Sequence, residues 1–142
     1  MELDNKKLFI FDLDGTLVDT APDFKNSLNY MLSEMGEDTV ELSDIRNWVG
    51  YGARELIRRT VEAKNIEHND RKISEMLRIF LLHYTHNIDD DSILYNNVEN
   101  FLKYLKKNSI KTSVCTNKIE SLSIMLLEKL GVLNLFDYLV GG

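Results

Sequence analysis

The chain has 142 residues, of which 44% are hydrophobic and 28% are charged, and its net charge is −6. This composition is typical of an ordinary globular protein, and the length favours one domain. The negative charge argues against a general nucleic-acid-binding protein, because no basic stripe is present to neutralise a phosphate backbone. It does not exclude a small phosphorylated substrate, which a metal ion and a few donors would hold locally.

The N-terminal residues 1–7 are charged, and the apolar run after them is too short for a secretory signal peptide. No run approaches the roughly 20 apolar residues of a membrane-spanning helix. The single cysteine, Cys115, lies in an apolar run, so we interpret it as a buried small side chain rather than a reactive thiol. We therefore expect a cytoplasmic protein without a membrane partner.

The first predicted element is a strand over residues 8–11, Leu-Phe-Ile-Phe, followed by two carboxylates. Four consecutive apolar residues predict a strand that is buried on both faces of a parallel sheet. Asp12 and Asp14 come directly after it, before Gly15 and a tight turn. Two acids held at the carboxyl end of a strand suit phosphoryl chemistry with a divalent metal, because one can attack phosphorus while the other handles protons.

Other kinds of acidic site fit this segment less well. An Asp-x-Asp pair alone has little specificity, since Asp-rich turns are common. A calcium-binding loop between two helices requires glycine at its sixth position, whereas Gly15 is fourth when counted from Asp12. No phosphate-binding P-loop sequence occurs in the chain. The longer string of a buried strand followed by residues 12–20 is therefore the informative feature.

A helical region follows, with no convincing strand between residues 19 and 91. Apolar residues recur there with helical spacing, and Pro22 and Gly36 mark the ends of the first helix. We interpret the methionine and aromatic stripes of this bundle as core rather than as a cofactor pocket. The predicted helices cover residues 22–36, 42–48, 53–61 and 73–88.

The acidic run at residues 89–91 is interpreted as a solvated linker, and His83 and His86 lack an evident third ligand for zinc. Beyond the linker, strands alternate with helices, which predicts a parallel sheet with right-handed crossovers. The helical region would then form a lid above the carboxyl edge of the sheet, where such folds bind ligands. The predicted helices cover residues 98–105 and 119–130, and the strands cover 111–116 and 136–140.

The strand at residues 111–116 ends in Thr116, Asn117 and Lys118. In a parallel sheet its carboxyl end lies at the same edge as Asp12, so a hydroxyl group and backbone amides can face a phosphate there. Capping of the next helix by Thr116 or Asn117 is the alternative interpretation.

The string Asp-Leu-Asp-Gly-Thr-Leu-Val-Asp-Thr at 12–20 resembles the first motif of the haloacid dehalogenase (HAD) superfamily, and residues 116–118 resemble the second. Within the superfamily, the chain resembles the N-terminal part of phosphoglycolate phosphatases from about Lys7 to its last residue. The resemblance is carried by residues 12–22, 48–53, Leu56, 116–118 and 136–142. It implies an α/β fold, a Rossmann-like parallel sheet of about three strands (residues 1–17 and 92–142) with an inserted four-helix cap (18–91).

The resemblance also implies a mechanism for an Mg²⁺-dependent phosphatase. Asp12 would attack phosphorus and form an aspartyl-phosphate, and Asp14 would protonate the leaving alkoxide and then activate water. The side chain of Asp12 and the backbone carbonyl of Asp14 would bind Mg²⁺. The hydroxyl group of Thr116 would bind the phosphoryl group. Asn117 and Lys118 are predicted to belong to the same phosphate- or substrate-binding site.

In the implied cap, the loop at residues 50–52, including Gly52, would face a small phosphorylated metabolite, with 2-phosphoglycolate as the best candidate. Arg54 would either face this substrate as well or be a solvated residue of its helix. Asp19 is interpreted as structural, because it stands at the exit into the cap. A phosphosugar mutase, another HAD phosphatase and a catalytically silent binding domain remain alternatives. The oligomeric state stays open.

The superfamily has two further motifs downstream, a lysine that is usually followed by proline and a Gly-Asp strand end that completes the metal site. The sequence reaches Gly142 before either of them. We therefore expect a truncated phosphatase of doubtful activity, with a genuinely short protein as the alternative and Lys118 as a candidate substitute for the downstream lysine. The strand at 8–11 is expected to have an unpaired edge.

Overall fold

The computed structural model describes residues 8–142. Helices and short strands alternate along this part of the chain. In order they are β1 (Leu8–Phe11), β2 (Val18–Asp19), α1 (Ala21–Glu34), α2 (Leu42–Arg46), α3 (Ala53–Ala63), α4 (Asp70–His86), β3 (Ile93–Leu94), α5 (Val98–Lys107), β4 (Lys111–Cys115), α6 (Glu120–Lys129) and β5 (Tyr138–Val140). A short 3-10 helix, Leu133–Leu135, precedes β5.

The central sheet has three parallel strands in the order β1-β4-β5. Phe11 is paired with Val114, and Cys115 is paired with Val140, so all three strands end at one edge. Helices connect these strands, as is usual for crossovers between parallel strands. The predicted α/β fold with a parallel sheet of about three strands is confirmed.

The predicted strand at residues 8–11 forms, but the prediction that both of its faces are buried is wrong. Phe9 and Phe11 lie against Phe101 of α5, with ring centroids 5.9 and 6.3 Å away. Leu8 and Ile10 face the other way and are 45% and 64% exposed. Successive side chains of a strand point to opposite faces, and within residues 8–142 only one face of β1 is covered.

The prediction that Cys115 is buried is also wrong, because its thiol is exposed. Cys115 lies on the same sheet face as Ile10, since Ile10 is paired with Ser113 in the neighbouring strand. Thr112 and Val114 point to the opposite face and are buried. An apolar run along the sequence does not reveal that one of its alternating faces is open.

Four helices, α1 to α4, lie between β2 and β3. These two-residue strands pair antiparallel, with Val18 opposite Leu94 and Asp19 opposite Ile93, so the outgoing and returning chains run side by side. The sequence analysis did not predict these two strands, since two residues are too few to show a period. The division into a core (1–17 and 92–142) and a cap (18–91) stays a prediction.

One hydrophobic core joins the helices to the sheet. The apolar stripes expected from helical spacing are buried, as for Leu28, Ile57 and Phe80, which have no exposed surface. They share the core with Val114 of β4 and Leu126 of α6. Within residues 8–142 no helix has both the length and the apolar character needed to cross a membrane.

Candidate active site

The first part of the candidate site lies where β1 ends. Asp12 is the first residue after the strand, is exposed, and its Oδ1 accepts a hydrogen bond from the amide of Leu13 at 2.8 Å. The chain then turns at Gly15, whose φ of +79° favours glycine. The turn is closed by the amide of Gly15, which donates to the carbonyl of Val18 at 2.8 Å. It leaves Asp14 only 9% exposed.

The second part lies where the neighbouring strand β4 ends. Thr116 follows this strand, and its Oγ1 accepts a hydrogen bond from the amide of Lys118 at 3.2 Å. The N-cap position of α6 is Ile119, and no side chain caps this helix. The alternative interpretation, that Thr116 or Asn117 caps this helix, is therefore wrong.

Lys118 is the point of contact between the two strand ends. Its Nζ donates to Oδ1 of Asp14 at 3.2 Å and to the hydroxyl oxygen of Tyr84 at 2.6 Å. It also lies 4.5 Å from the ring centroid of Phe24. Burial lowers the pKa of Lys118 and the Asp14 carboxylate opposes that shift, while burial raises the pKa of the Tyr84 phenol. A buried charge of this kind requires partners, and Asp14 and Tyr84 supply them.

The end of β5 approaches this turn so closely that two glycines are required. The amide of Gly142 donates to the carbonyl of Lys118 at 2.9 Å. A Cβ atom at Gly141 would lie 2.5 Å from Cα of Glu120, and one at Gly142 would lie 2.9 Å from the carbonyl oxygen of Asn117. Any side chain at these positions would displace the turn that holds Lys118.

The loop between α2 and α3 covers the site from above. The side-chain amide of Asn117 donates to the carbonyl of Gly50 at 2.9 Å, and Gly52 lies beside the Asn117 carbonyl. A cavity lies beneath the loop. It is lined by Asp14, Lys118, Gly50, Gly52, Trp48 and the aromatic residues Phe24, Phe80 and Tyr84, among others.

Asp14 also lines a second, more open cleft. Gly15, Asp19, Arg46 and Tyr95 are among its lining residues. The two carboxylate oxygens of Asp19 accept hydrogen bonds from the guanidinium group of Arg46 at 2.9 and 2.7 Å. This ion pair joins the exit into the helices to α2, a structural role of the kind expected for Asp19.

The predicted site residues therefore separate into three groups. Asp14, Gly52 and Lys118 line the cavity beneath the α2–α3 loop. Asp12, Thr116 and Asn117 lie at the same sheet edge but do not line this cavity. Arg54 lies elsewhere, because its guanidinium group donates to Ser74 at 3.2 Å and to Asp70 at 3.4 Å, at the start of α4.

Sequence reasoning missed the contribution of aromatic residues to this site. Phe24, Phe80 and Tyr84 were expected to be core, and they are buried, but they also form a wall of the cavity. Helical spacing predicts which residues face inward but not which of them reach a charged group. The only signal was that Tyr84 places a hydroxyl group on an otherwise apolar stripe.

Oxygen donors suitable for Mg²⁺ are present at the edge. The Asp12 carboxylate and the backbone carbonyl of Asp14 are hard ligands of the type that Mg²⁺ prefers, and this ion usually retains several waters. Among the described residues, no group of three or more His, Cys, Asp or Glu could hold a metal. The fit to Mg²⁺ therefore depends on the oxygen donors of Asp12 and Asp14, with waters completing the coordination.

Comparison with known proteins identifies the family. Residues 9–142 match the haloacid dehalogenase-like hydrolases. The chain belongs to this family. Relatives in the HAD family include the phosphoglycolate phosphatase of Colwellia psychrerythraea, which is 37% identical over 100% of this chain and 64% of its own length. The phosphoglycolate phosphatase of Agrobacterium fabrum is 38% identical over 95% of this chain and 58% of its own length.

Solved structures agree with the HAD fold. A predicted phosphoglycolate phosphatase from Haemophilus somnus 129pt superposes with a TM-score of 0.91 at 30% identity, covering 99% of this chain and 64% of that one. The β-phosphoglucomutase of Clostridium difficile has a TM-score of 0.80 at 24% identity, covering 96% and 61%, which shows a shared fold alone. The chain thus spans less than two thirds of the length of these relatives.

Proposed function

We propose that this chain carries the nucleophile and the general acid of an Mg²⁺-dependent phosphatase that acts on a small phosphomonoester. The observation that carries the proposal is the placement of Asp12 and Asp14 after β1, beside the Thr116–Lys118 turn after β4. The phosphoglycolate phosphatase relatives support 2-phosphoglycolate as the substrate.

In the first step, a carboxylate oxygen of Asp12 attacks phosphorus and forms an acyl phosphate, while the bond from phosphorus to the substrate oxygen breaks. Asp14 accepts from the Lys118 ammonium through Oδ1, and the proton that it transfers to the leaving alkoxide is carried on its other oxygen, Oδ2. In the second step, Asp14 takes a proton from water as the water attacks phosphorus. This releases phosphate and regenerates the Asp12 carboxylate.

Charge must be neutralised in both steps, because an anionic nucleophile approaches an anionic phosphate. The hydroxyl group of Thr116 and the amide of Asn117 would donate to phosphoryl oxygens. The Asp12 carboxylate and the Asp14 carbonyl would hold Mg²⁺, which when bound supplies positive charge beside the phosphoryl group. Arg54 is not assigned a role in this scheme, because it contacts α4 instead.

The test is hydrolysis of p-nitrophenyl phosphate with Mg²⁺, comparing the wild-type chain with Asp12→Asn. We expect turnover by the wild type and its loss in the variant, since the amide is not a nucleophile. Asp38→Asn, at an exposed acid in the loop after α1, is the matched control and should retain activity. Equal background in the wild type and Asp12→Asn would contradict the proposal and favour a silent binding domain.

A readout that does not need turnover is the binding of beryllofluoride, which mimics a phosphoryl group on a carboxylate. With Mg²⁺ present, ¹⁹F NMR should show a bound signal for the wild type and none for Asp12→Asn. Substrate preference is a separate question. The rates of hydrolysis of 2-phosphoglycolate and of hexose phosphates should be compared. Faster hydrolysis of 2-phosphoglycolate would support it as the substrate, whereas a preference for hexose phosphates would favour a mutase-like specificity.

A further inference from the structure

We propose that Tyr84 is a positioning residue whose hydroxyl group holds the Lys118 ammonium against Asp14. It would thereby couple the position of α4 to the position of the Asp14 side chain, which transfers protons. This inference rests on the proposed function, because it concerns the reaction assigned to Asp14.

Three separate segments supply the three side chains. Asp14 lies in the turn after β1, Lys118 in the turn after β4, and Tyr84 near the end of α4. The Lys118 Nζ is 3.2 Å from Asp14 Oδ1 and 2.6 Å from the Tyr84 hydroxyl. These are the side-chain partners of this ammonium group among residues 8–142, so the phenol is one of two polar groups that fix its position.

The tyrosine ring is itself held rigidly. It stacks on Phe80 at a centroid distance of 5.7 Å and an interplanar angle of 9°, and it lies 4.9 Å from the ring of Phe24. Tyr84 is 1% exposed, so its hydroxyl group has little freedom to move. A lysine, by contrast, has a long flexible stem whose ammonium is placed by its partners.

Removal of the hydroxyl group would leave a buried ammonium with one acceptor fewer. Lys118 carries three N–H donors and its side chain is 4% exposed, so bulk water does not readily replace the lost partner. The ammonium would then shift, and the Asp14 carboxylate that it holds would shift with it. Proton transfer requires heavy atoms within about 2.6–3.2 Å, and even a small displacement of the reacting group is costly.

Leaving-group dependence separates positioning of Asp14 from a general loss of structure. p-Nitrophenolate is a good leaving group that needs little protonation, whereas an alkoxide depends on the proton that Asp14 gives. A misplaced Asp14 should therefore slow alkyl phosphates more than p-nitrophenyl phosphate. A purely structural defect reduces the concentration of folded protein and slows both substrates by the same factor.

The variant is Tyr84→Phe, which keeps the ring and removes only the hydroxyl group. We expect kcat for 2-phosphoglycolate to fall at least tenfold, with KM changed by less than about twofold and a loss of no more than about threefold for p-nitrophenyl phosphate. Tyr104→Phe, at a half-exposed tyrosine on α5, removes the same atom away from the site and should change neither. Equal losses for the two substrates, or no loss for either, would overturn the inference.

A double-mutant cycle tests the contact without any need for turnover. Tyr84→Phe, Lys118→Met and the double variant are compared by urea unfolding. We expect the effects to be coupled by at least fivefold in the unfolding equilibrium constant, and additive effects would overturn the inference in an active or an inactive chain. Failure of the proposed function is recognised separately, by a wild type that shows neither Asp12-dependent hydrolysis nor bound beryllofluoride.

Discussion

The carboxylate of Asp23 accepts hydrogen bonds from both the amide and the hydroxyl group of Ser92, at 2.8 and 2.6 Å. It also accepts one from the amide of Asp91 at 3.0 Å. Asp23 lies in the first turn of α1, and Ser92 lies just before β3. One buried side chain therefore ties the start of the four helices to the segment that returns from them.

Substitution Asp23→Ala should lower the free energy of unfolding by roughly 2–4 kcal/mol, because it leaves the buried amide and hydroxyl group of Ser92 without an acceptor. Urea unfolding followed by circular dichroism measures this. Asp38→Ala, at an exposed aspartate, should change stability by less than about 0.5 kcal/mol. Similar values for the two variants would show that Asp23 does not stabilise the return segment.

The same residue predicts a pH dependence. Burial raises the pKa of Asp23 above the ordinary value of 3.8, although its hydrogen bonds oppose that shift. When the folded-state pKa is the higher one, the folded protein binds the proton more tightly. The contribution of Asp23 to stability is then full below about pH 4 and is lost as the pH rises through the folded pKa.

Unfolding free energies of the wild type and Asp23→Asn at pH 4 and pH 7 measure this contribution, because other carboxyl groups cancel in the difference. We expect the wild type to lose stability relative to the variant between pH 4 and pH 7. A relative gain over that interval would mean that the hydrogen bonds outweigh burial and that the pKa is lowered.

Substitution Gly141→Ala should destabilise the protein by about 1–3 kcal/mol, because the new methyl group would lie 2.5 Å from Cα of Glu120. It should also shift the amide NMR signals of residues 116–118, since the start of α6 must move. Gly36→Ala is the comparison, since nothing lies within 4 Å and only the φ of +73° opposes the change. Unchanged signals in residues 116–118 would contradict the predicted displacement.

Ile10→Thr should change the free energy of unfolding by less than about 0.5 kcal/mol, since Ile10 is 64% exposed and threonine keeps the β-branched shape. Leu28→Ala, at a fully buried position in α1, should cost about 2–5 kcal/mol. Thermal or urea unfolding measures both. A large effect at Ile10 would mean that its side chain is covered in solution.

Much of the fold could be predicted because its signals are local. The strand at residues 8–11, the helices and the carboxylates after β1 follow from runs and periods in the sequence. Whether Ile10 and Cys115 are covered depends on which elements lie against the sheet, and β2 and β3 depend on pairing across the whole helical region. No local sequence pattern predicts the exposure of these two residues or the pairing of these two strands.

The site shows the same division. Asp14 and Lys118 were recognised separately from their positions after two strands, but their contact joins residues 104 positions apart. The proposed role of Tyr84 depends on a contact with Lys118, 34 positions further along the chain, which helical spacing does not predict. Arg54 had a suitable charge and a suitable neighbour in Gly52, yet the helix that begins at Ala53 directs its side chain toward Asp70.

The short pairing of β2 with β3 limits how the four helices can move relative to the sheet. Two unpaired connections would allow the helices to slide or twist. The pairing of Val18–Asp19 with Ile93–Leu94 instead holds the two connecting segments side by side. A change of backbone angle at one connection is therefore opposed by its hydrogen-bonded partner, so the two connections can change conformation only together.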